Sequence, residues 1–307
     1  MTFDLADTPL VTLSEGVLTL PISLEGKGNS LDSDAVDQAS VALRALLAGD
    51  IEAGAVLLVG LGANFCAGGN VPGFAAAPDR AEHVRELADR LHAVVRQLDE
   101  LPVPIVAAVA GWAAGAGASL VLAADFSVGG PDTRLLAAYP GIGLSPDGGM
   151  SWRLPRAIGQ GAARAFIVGN EPMDGARAYQ LGLLTTFVEG DVREAARELA
   201  VRLAAGPRES HAAAKALLRA SESATLAEQL DAERDSIARL AVSPTGWRAW
   251  TPSSPSAHRS SAGADAAGRA GRPARRKRSA STPVRARRGD SSRPAPRRVD
   301  GAPRSRG

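Results

Sequence analysis

Aromatic residues are scarce in this sequence: 4 Trp, 2 Tyr and 6 Phe make up 4% of 307 residues, against 45% hydrophobic residues overall. The core is therefore built from Ala, Val and Leu rather than from large rings. A single cysteine, Cys66, excludes an intrachain disulfide, which suits a reducing compartment and a cytoplasmic location. The longest apolar run, near "GASLVLAA", ends at Asp125 and is far shorter than a membrane span requires. The first residues, "MTFDLADTPLVTL", lack the basic and apolar regions of a secretory leader. His83, His92 and His211 show no metal-ligand spacing and Cys66 has no companion, so no metal site is expected. There is no GxxxxGK[ST] loop, and "GWAAGAG" does not fit the GxGxxG spacing of a dinucleotide site.

Residues 251–307 contain no Leu, Ile, Met, Phe, Tyr or Trp. A segment of that composition cannot bury enough apolar surface to offset its ordering entropy, so disorder is expected there. The same segment distorts the charge balance. It holds 15 of the 35 basic residues and 3 of the 33 acidic ones, leaving 20 basic and 30 acidic residues in 1–250. The overall +2 thus combines an acidic body with a basic tail. "PARRKRSASTPVRARRGD" (273–290) resembles an arm that binds phosphate backbones nonspecifically. With no aromatic residue to stack on bases, it is not expected to read sequence.

The body alternates strands and helices. Residues 10–24 alternate about a Gly-containing turn and read as a hairpin. "DSDAVDQASVALRALLAG" has helical spacing and an acid-rich start. "AGAVLLVGLG" and "VPIVAAVAG" are short apolar runs of the kind covered on both faces, with a helix over about 79–100 between them. "AAGAGASLVLAADF" reads as a buried helix and "DFSVGG" as the next strand. From about 158 to 240 the pattern is almost wholly helical. The fold class is α/β.

Three Gly-rich segments each follow a predicted strand: "GANFCAGGNV" (62–71), "AGWAAGAGASL" (110–120) and "YPGIGLSPDGGMSWRLP" (139–155). Small residues at such places let backbone N–H groups approach a ligand, and two N–H groups converging on one oxygen form an oxyanion hole. Asp147, in "SPDGG", has two readings: Pro-Asp-Gly is turn chemistry for backbone reasons alone, and a carboxylate beside such loops can handle a proton.

Taken in order, "NSL" (29–31), "FCAGGNV" (65–71), "PIVAAVAGWAAGAGASLVLAAD" (104–125), "GLSPDGG" (143–149), "LPRAIG" (154–159), "AYQLGLL" (178–184) and "AAKALL" (213–218) resemble the crotonase superfamily, the enoyl-CoA hydratase/isomerase family. The resemblance covers about residues 10–250. It implies a superhelix of ββα units with two near-perpendicular sheets and a helical C-terminal region that makes trimers, often stacked as hexamers. The domain expectation is a core over 1–195, a trimerisation region over 196–250 and a basic tail over 251–307. It also implies an acyl-CoA thioester substrate, no cofactor beyond the CoA moiety, and no membrane partner. By position, the oxyanion-hole donors are the N–H groups of Gly69 and Ala116, flanked by Ala67, Gly68 and Gly115. Ala67 marks the place for adenine contacts, and Lys27 the place for a CoA phosphate.

Three positions depart from the family pattern. Asn70 stands where Asp is usual and reads as a helix N-cap. Ser119 and Tyr139 stand where a hydratase carries its two carboxylates, and both are placed in the substrate-binding set. A hydratase positions one water between two carboxylates. A family isomerase uses an acid at the place of Asp147 to move a proton between carbons. The resemblance therefore favours an enoyl-CoA isomerase, with a hydratase or a noncatalytic CoA-binding member as alternatives. Arg153 and Arg156 are read as surface or subunit-contact charges, and Cys66 as a small buried hydrophobe.

The family's closing "F-L-x-x-R-x-P" segment is missing near Thr245. Back-translating residues 246–260 into GC-rich codons, and reading from the last base of the glycine codon, restores "VAGLDAFLAQRTPE". The expectation is that one extra base shifted the frame at about Gly246, leaving the tail without a selected function.

Overall fold

The computed structural model describes residues 5–25 and 29–243. Lys27, the basic tail and the frame-shift reading at Gly246 lie outside those residues.

The chain opens with β1 (Thr12–Ser14) and β2 (Val17–Leu24), an antiparallel hairpin. Its two turn residues, Glu15 (φ 52°) and Gly16 (φ 74°), are both left-handed, the twist that a two-residue hairpin requires. Helix α1 (Ser33–Ala48) starts where the Asp32 side chain accepts from the Ala35 N–H, and stops at a left-handed Gly49. Strand β3 (Ala55–Leu61) follows, then α2 (Val71–Ala76) and α3 (Arg80–Glu100). Asn70 caps α2 by accepting from the Gly73 N–H at 3.2 Å.

Strand β4 (Ile105–Ala108), β5 (Trp112–Ala114), helix α4 (Ala116–Ala123), β6 (Phe126–Gly129) and β7 (Arg134–Leu136) complete the strand-rich part. Helix α5 (Met150–Gly169) comes next, then β8 (Met173–Asp174), α6 (Gly175–Leu181) and β9 (Thr186–Phe187). The described chain ends in α7 (Val192–Ala204), α8 (Arg208–Ala220) and α9 (Leu226–Ala241). One mixed sheet has the order β1-β2-β3-β4-β6-β9, parallel except at β1; the other has the order β5-β7-β8.

Strand β3 shows why the first sheet needs helices on both faces. Val56 and Leu58 pack with Val36 and Leu43 of α1 and with Leu91 and Leu98 of α3. The alternate residues Ala55, Leu57 and Val59 pack under Ala196, Ala200 and Ala204 of α7. Full burial of each leucine contributes about 1.5–3 kcal/mol. The alanines of α7 allow close approach: a Cβ on Gly54 would lie 2.3 Å from the Ala204 carbonyl oxygen. The expected boundary at residue 195/196 falls inside α7.

Helix α8 is tied to the core by charge. Lys215 Nζ lies 2.5 Å from Asp125 Oδ2 and donates to the Val103 carbonyl at 3.0 Å. Burial pulls the Lys215 ammonium below its ordinary pKa, opposed by Asp125. The expectation of near-continuous helix from 158 misses β8 and β9. Two-residue strands carry no periodicity of their own and are held by their sheet neighbours.

Candidate active site

A short parallel bridge joins the first Gly-rich segment to the second. Cys66 pairs with Ala113, the Cys66 N–H donating to the Trp112 carbonyl at 3.0 Å and the Ala114 N–H donating to the Cys66 carbonyl at 2.9 Å. Both chains then turn through glycine. Gly68 has φ 98°, and Gly115 has φ 52° and ψ −118°, a region that only glycine enters without strain. The result brings Gly68–Gly69 and Gly115–Ala116 to one wall of a cavity of about 620 Å³. Among the described residues, no backbone acceptor takes the N–H of Gly69 or of Ala116. Ala116 is the first residue of α4, whose first-turn N–H groups have no intrahelical partner. Cys66 lies behind this wall, and burial pushes its thiol up to about 11.

Tyr139 and residues 144–147 also line the cavity, with Phe74, Val84, Leu87 and Leu91 supplying apolar surface from α2 and α3. Asp147 lines the cavity, and it is the only carboxylate among the described residues that does. Its Oδ1 accepts from the Gly148 N–H at 2.6 Å, the local bond expected of a turn aspartate. The same oxygen meets His92 Nε2 from α3. The turn reading and the cavity-facing reading of Asp147 therefore both hold in the backbone geometry. Gly148 (φ 61°) allows the turn to press inward, since a Cβ there would lie 2.8 Å from Ser119 Cβ.

Ser119 and Tyr139 support this turn from behind. Ser119 Oγ donates to the Asp147 carbonyl at 2.7 Å. Tyr139 Oη lies 3.2 Å from Ser119 Oγ and 3.3 Å from the same carbonyl. Burial, with the Asp147 charge adding to it, pushes the Tyr139 phenol up to about 12, so it stays neutral. Tyr139 lines the cavity. Ser119 is fully buried and is not among the lining residues. It contacts the Asp147 turn instead of the space a substrate would fill, because α4 turns it toward the Asp147 carbonyl.

Comparison with known proteins identifies the family. The sequence pattern of the enoyl-CoA hydratase/isomerase family matches residues 12–243. The chain belongs to the enoyl-CoA hydratase/isomerase family. It is 32% identical over 229 residues to the 1,2-epoxyphenylacetyl-CoA isomerase of Escherichia coli (strain K12), spanning 73% of this chain and 86% of that one. It is 34% identical over 242 residues to a Mycobacterium tuberculosis (strain ATCC 25618 / H37Rv) protein named "Probable enoyl-CoA hydratase EchA14", spanning 78% and 91%. A crystal structure of an enoyl-CoA hydratase from Polaromonas sp. JS666 superposes with a TM-score of 0.72 at 33% identity, covering 77% of this chain and 93% of that one. The crotonase fold expected from the motifs is thus the fold of this chain.

Within this family framework, the structure brings Ala67, Gly68, Gly69, Gly115, Ala116, Tyr139 and Asp147 to one cavity. His92 also belongs to the site, against Asp147. Its contact with Asp147 spans 55 residues, and nothing in the local pattern of α3 marks it. His83 lines the cavity and meets the Phe74 ring edge-on at 6.2 Å. Arg153 is tied down, 2.5 Å from Asp99 Oδ1, and Arg156 stacks 4.0 Å over the exposed Trp152 ring. No group of His, Cys, Asp and Glu among the described residues could hold a metal ion. No helix among them is long and apolar enough to cross a membrane.

Proposed function

We propose that this family member is an acyl-CoA isomerase that works through an enolate. The N–H groups of Gly69 and Ala116 receive the thioester oxygen, and Asp147 moves the proton. The observation that carries this reading is that Asp147 is the only carboxylate among the described residues lining the cavity. A 1,3-shift needs one base that removes a proton from one carbon and returns it to another, while the oxyanion hole holds the charge between the steps. Addition of water in this family calls for two carboxylates. Their expected places hold Ser119 and Tyr139, both engaged with the Asp147 carbonyl. The apolar wall of Phe74, Val84, Leu87 and Leu91 supplies the acyl pocket. Lys27 is the cation we assign to a CoA phosphate. No cofactor is required beyond the CoA moiety of the substrate.

We further read the assembly as a trimer or hexamer, supported by the exposed Leu226, Leu230 and Ile237 of α9. The domain division into core, helical assembly region and basic tail stays part of the proposal. Asp147→Asn tests the chemistry. With a 3-enoyl-CoA the variant should lose double-bond migration by about 10²–10⁴-fold while retaining CoA-ester binding. Migration at the wild-type rate would remove Asp147 from its role.

A further inference from the structure

We infer that His92 is the proton exit of the site, a relay through which Asp147 exchanges the abstracted proton with bulk water during the life of the enolate. This rests on the isomerase reading of Asp147. The two residues come from different elements and divide two environments. Asp147 lines the cavity; His92 does not, yet its Nε2 meets Asp147 Oδ1. The His92 side chain keeps 37% of its surface exposed, against 30% for Asp147. The Asp147 surface on the cavity side is what an acyl chain covers on binding. The histidine surface lies outside that cavity and stays wet.

With an acyl chain covering the cavity side of Asp147, no other described side chain that touches its carboxylate can carry the proton. The Asp147 carbonyl is occupied by Ser119, and its Oδ1 otherwise meets only the Gly148 N–H. The Tyr139 phenol is buried, and with its pKa pushed up to about 12 it does not release a proton near neutrality.

The step balances without any co-reactant. Asp147 takes the proton from C2 of a 3-enoyl-CoA, leaving the electron pair in the enolate held by Gly69 and Ala116. In the resting contact His92 Nε2 carries the hydrogen donated to Oδ1. Once Asp147 is protonated, the imidazole exchanges that hydrogen with water to reach its other tautomer. The carboxylic acid then passes the abstracted proton to the freed Nε2, giving an imidazolium beside a carboxylate. The half-exposed imidazolium exchanges its N–H protons with water and returns one to Asp147. Asp147 delivers it to C4 as the electron pair shifts to form the C2–C3 double bond. One proton leaves the substrate and one solvent proton enters the product.

The test reads isotope per turnover. Wild-type enzyme, His92→Phe and His92→Gln are run on a 3-enoyl-CoA in deuterated water, and NMR measures deuterium at C4 of newly formed 2-enoyl-CoA. Wild type should show substantial uptake. Both variants should show at least about a fivefold drop in deuterium per migrated molecule, because the proton then returns from Asp147 without exchange. A histidine that merely holds Asp147 in place would slow migration and leave deuterium per migration unchanged, and that result overturns the inference. Wild-type migration without uptake overturns it as well, with the isomerase reading intact. Absence of migration in wild type overturns both. Using two variants guards against one of them failing to fold.

Discussion

Replacing Gly117 by alanine puts a methyl group where the structure has no room, and the consequence can be sized. The new Cβ would lie 2.4 Å from the Cys66 carbonyl oxygen and 2.7 Å from Cys66 Cβ. Relief to an ordinary contact requires α4 and the 65–69 segment to part by roughly 1 Å, the scale on which misplacement costs about 10²-fold in rate. These are the two segments that present the Ala116 and Gly69 N–H groups. Overpacking costs about 1–3 kcal/mol of stability, partly offset by the higher helix propensity of alanine, about 1 kcal/mol. Gly161→Ala is the control, since a Cβ there meets nothing within 4 Å and the site is exposed on α5. It should be neutral or stabilising by up to about 1 kcal/mol. Urea unfolding and the migration rate measure both quantities. Gly117→Ala with wild-type rate and stability would refute the account of how the two donors are spaced.

Other perturbations give separable outcomes. Ser119→Ala removes the donor to the Asp147 carbonyl and leaves the buried Tyr139 hydroxyl with one partner fewer. It should cost about 1–3 kcal/mol in chemical denaturation and slow migration without abolishing CoA-ester binding. Cys66 has its thiol pushed from 9.0 up to about 11 in the folded chain by burial. Between those values the folded state binds the proton that the unfolded state has lost, so stability falls as pH rises from 9 to 11. The slope is about 1.4 kcal/mol per pH unit for one such group. Denaturation curves of wild type and Cys66→Ala across that window should diverge in slope; parallel curves would contradict the shift. Asp32→Ala deletes the side-chain cap that accepts from Ala35 N–H at 3.0 Å and should lower the unfolding free energy by about 0.5–2 kcal/mol.

The sequence announced those elements whose signal is local. The hairpin at Glu15–Gly16, helix α1 with its Asp32 cap and Gly49 stop, and the doubly covered strands β3 and β4 each carry period, cap or composition in their own residues. The Gly-rich segments revealed the cavity wall for the same reason: Gly68 and Gly115 adopt backbone angles that other residues avoid. What was missed depends on distant partners. Strands β8 and β9 exist through pairing with β7 and β6. The helical pattern read from about 158 starts earlier, with α5 at Met150, and runs past Pro155 to a break at Gly159, where φ 79° and ψ 157° are not helical. His92 was invisible because only the packing of α3 against the Asp147 turn makes it a neighbour. Ser119 shows the complementary case. Sequence position put it at the site, but the orientation of α4 turned its hydroxyl to a backbone carbonyl.

The ratio of two rates in the unmodified chain separates an isomerase from a hydratase. Purified protein is offered a 3-enoyl-CoA and, separately, a 2-enoyl-CoA of the same chain length, and NMR follows bond migration and water addition. A site with one cavity-facing carboxylate predicts migration in large excess over hydration. Hydration equal to or faster than migration would contradict the single-carboxylate account and assign the chain to the hydratase branch of its family.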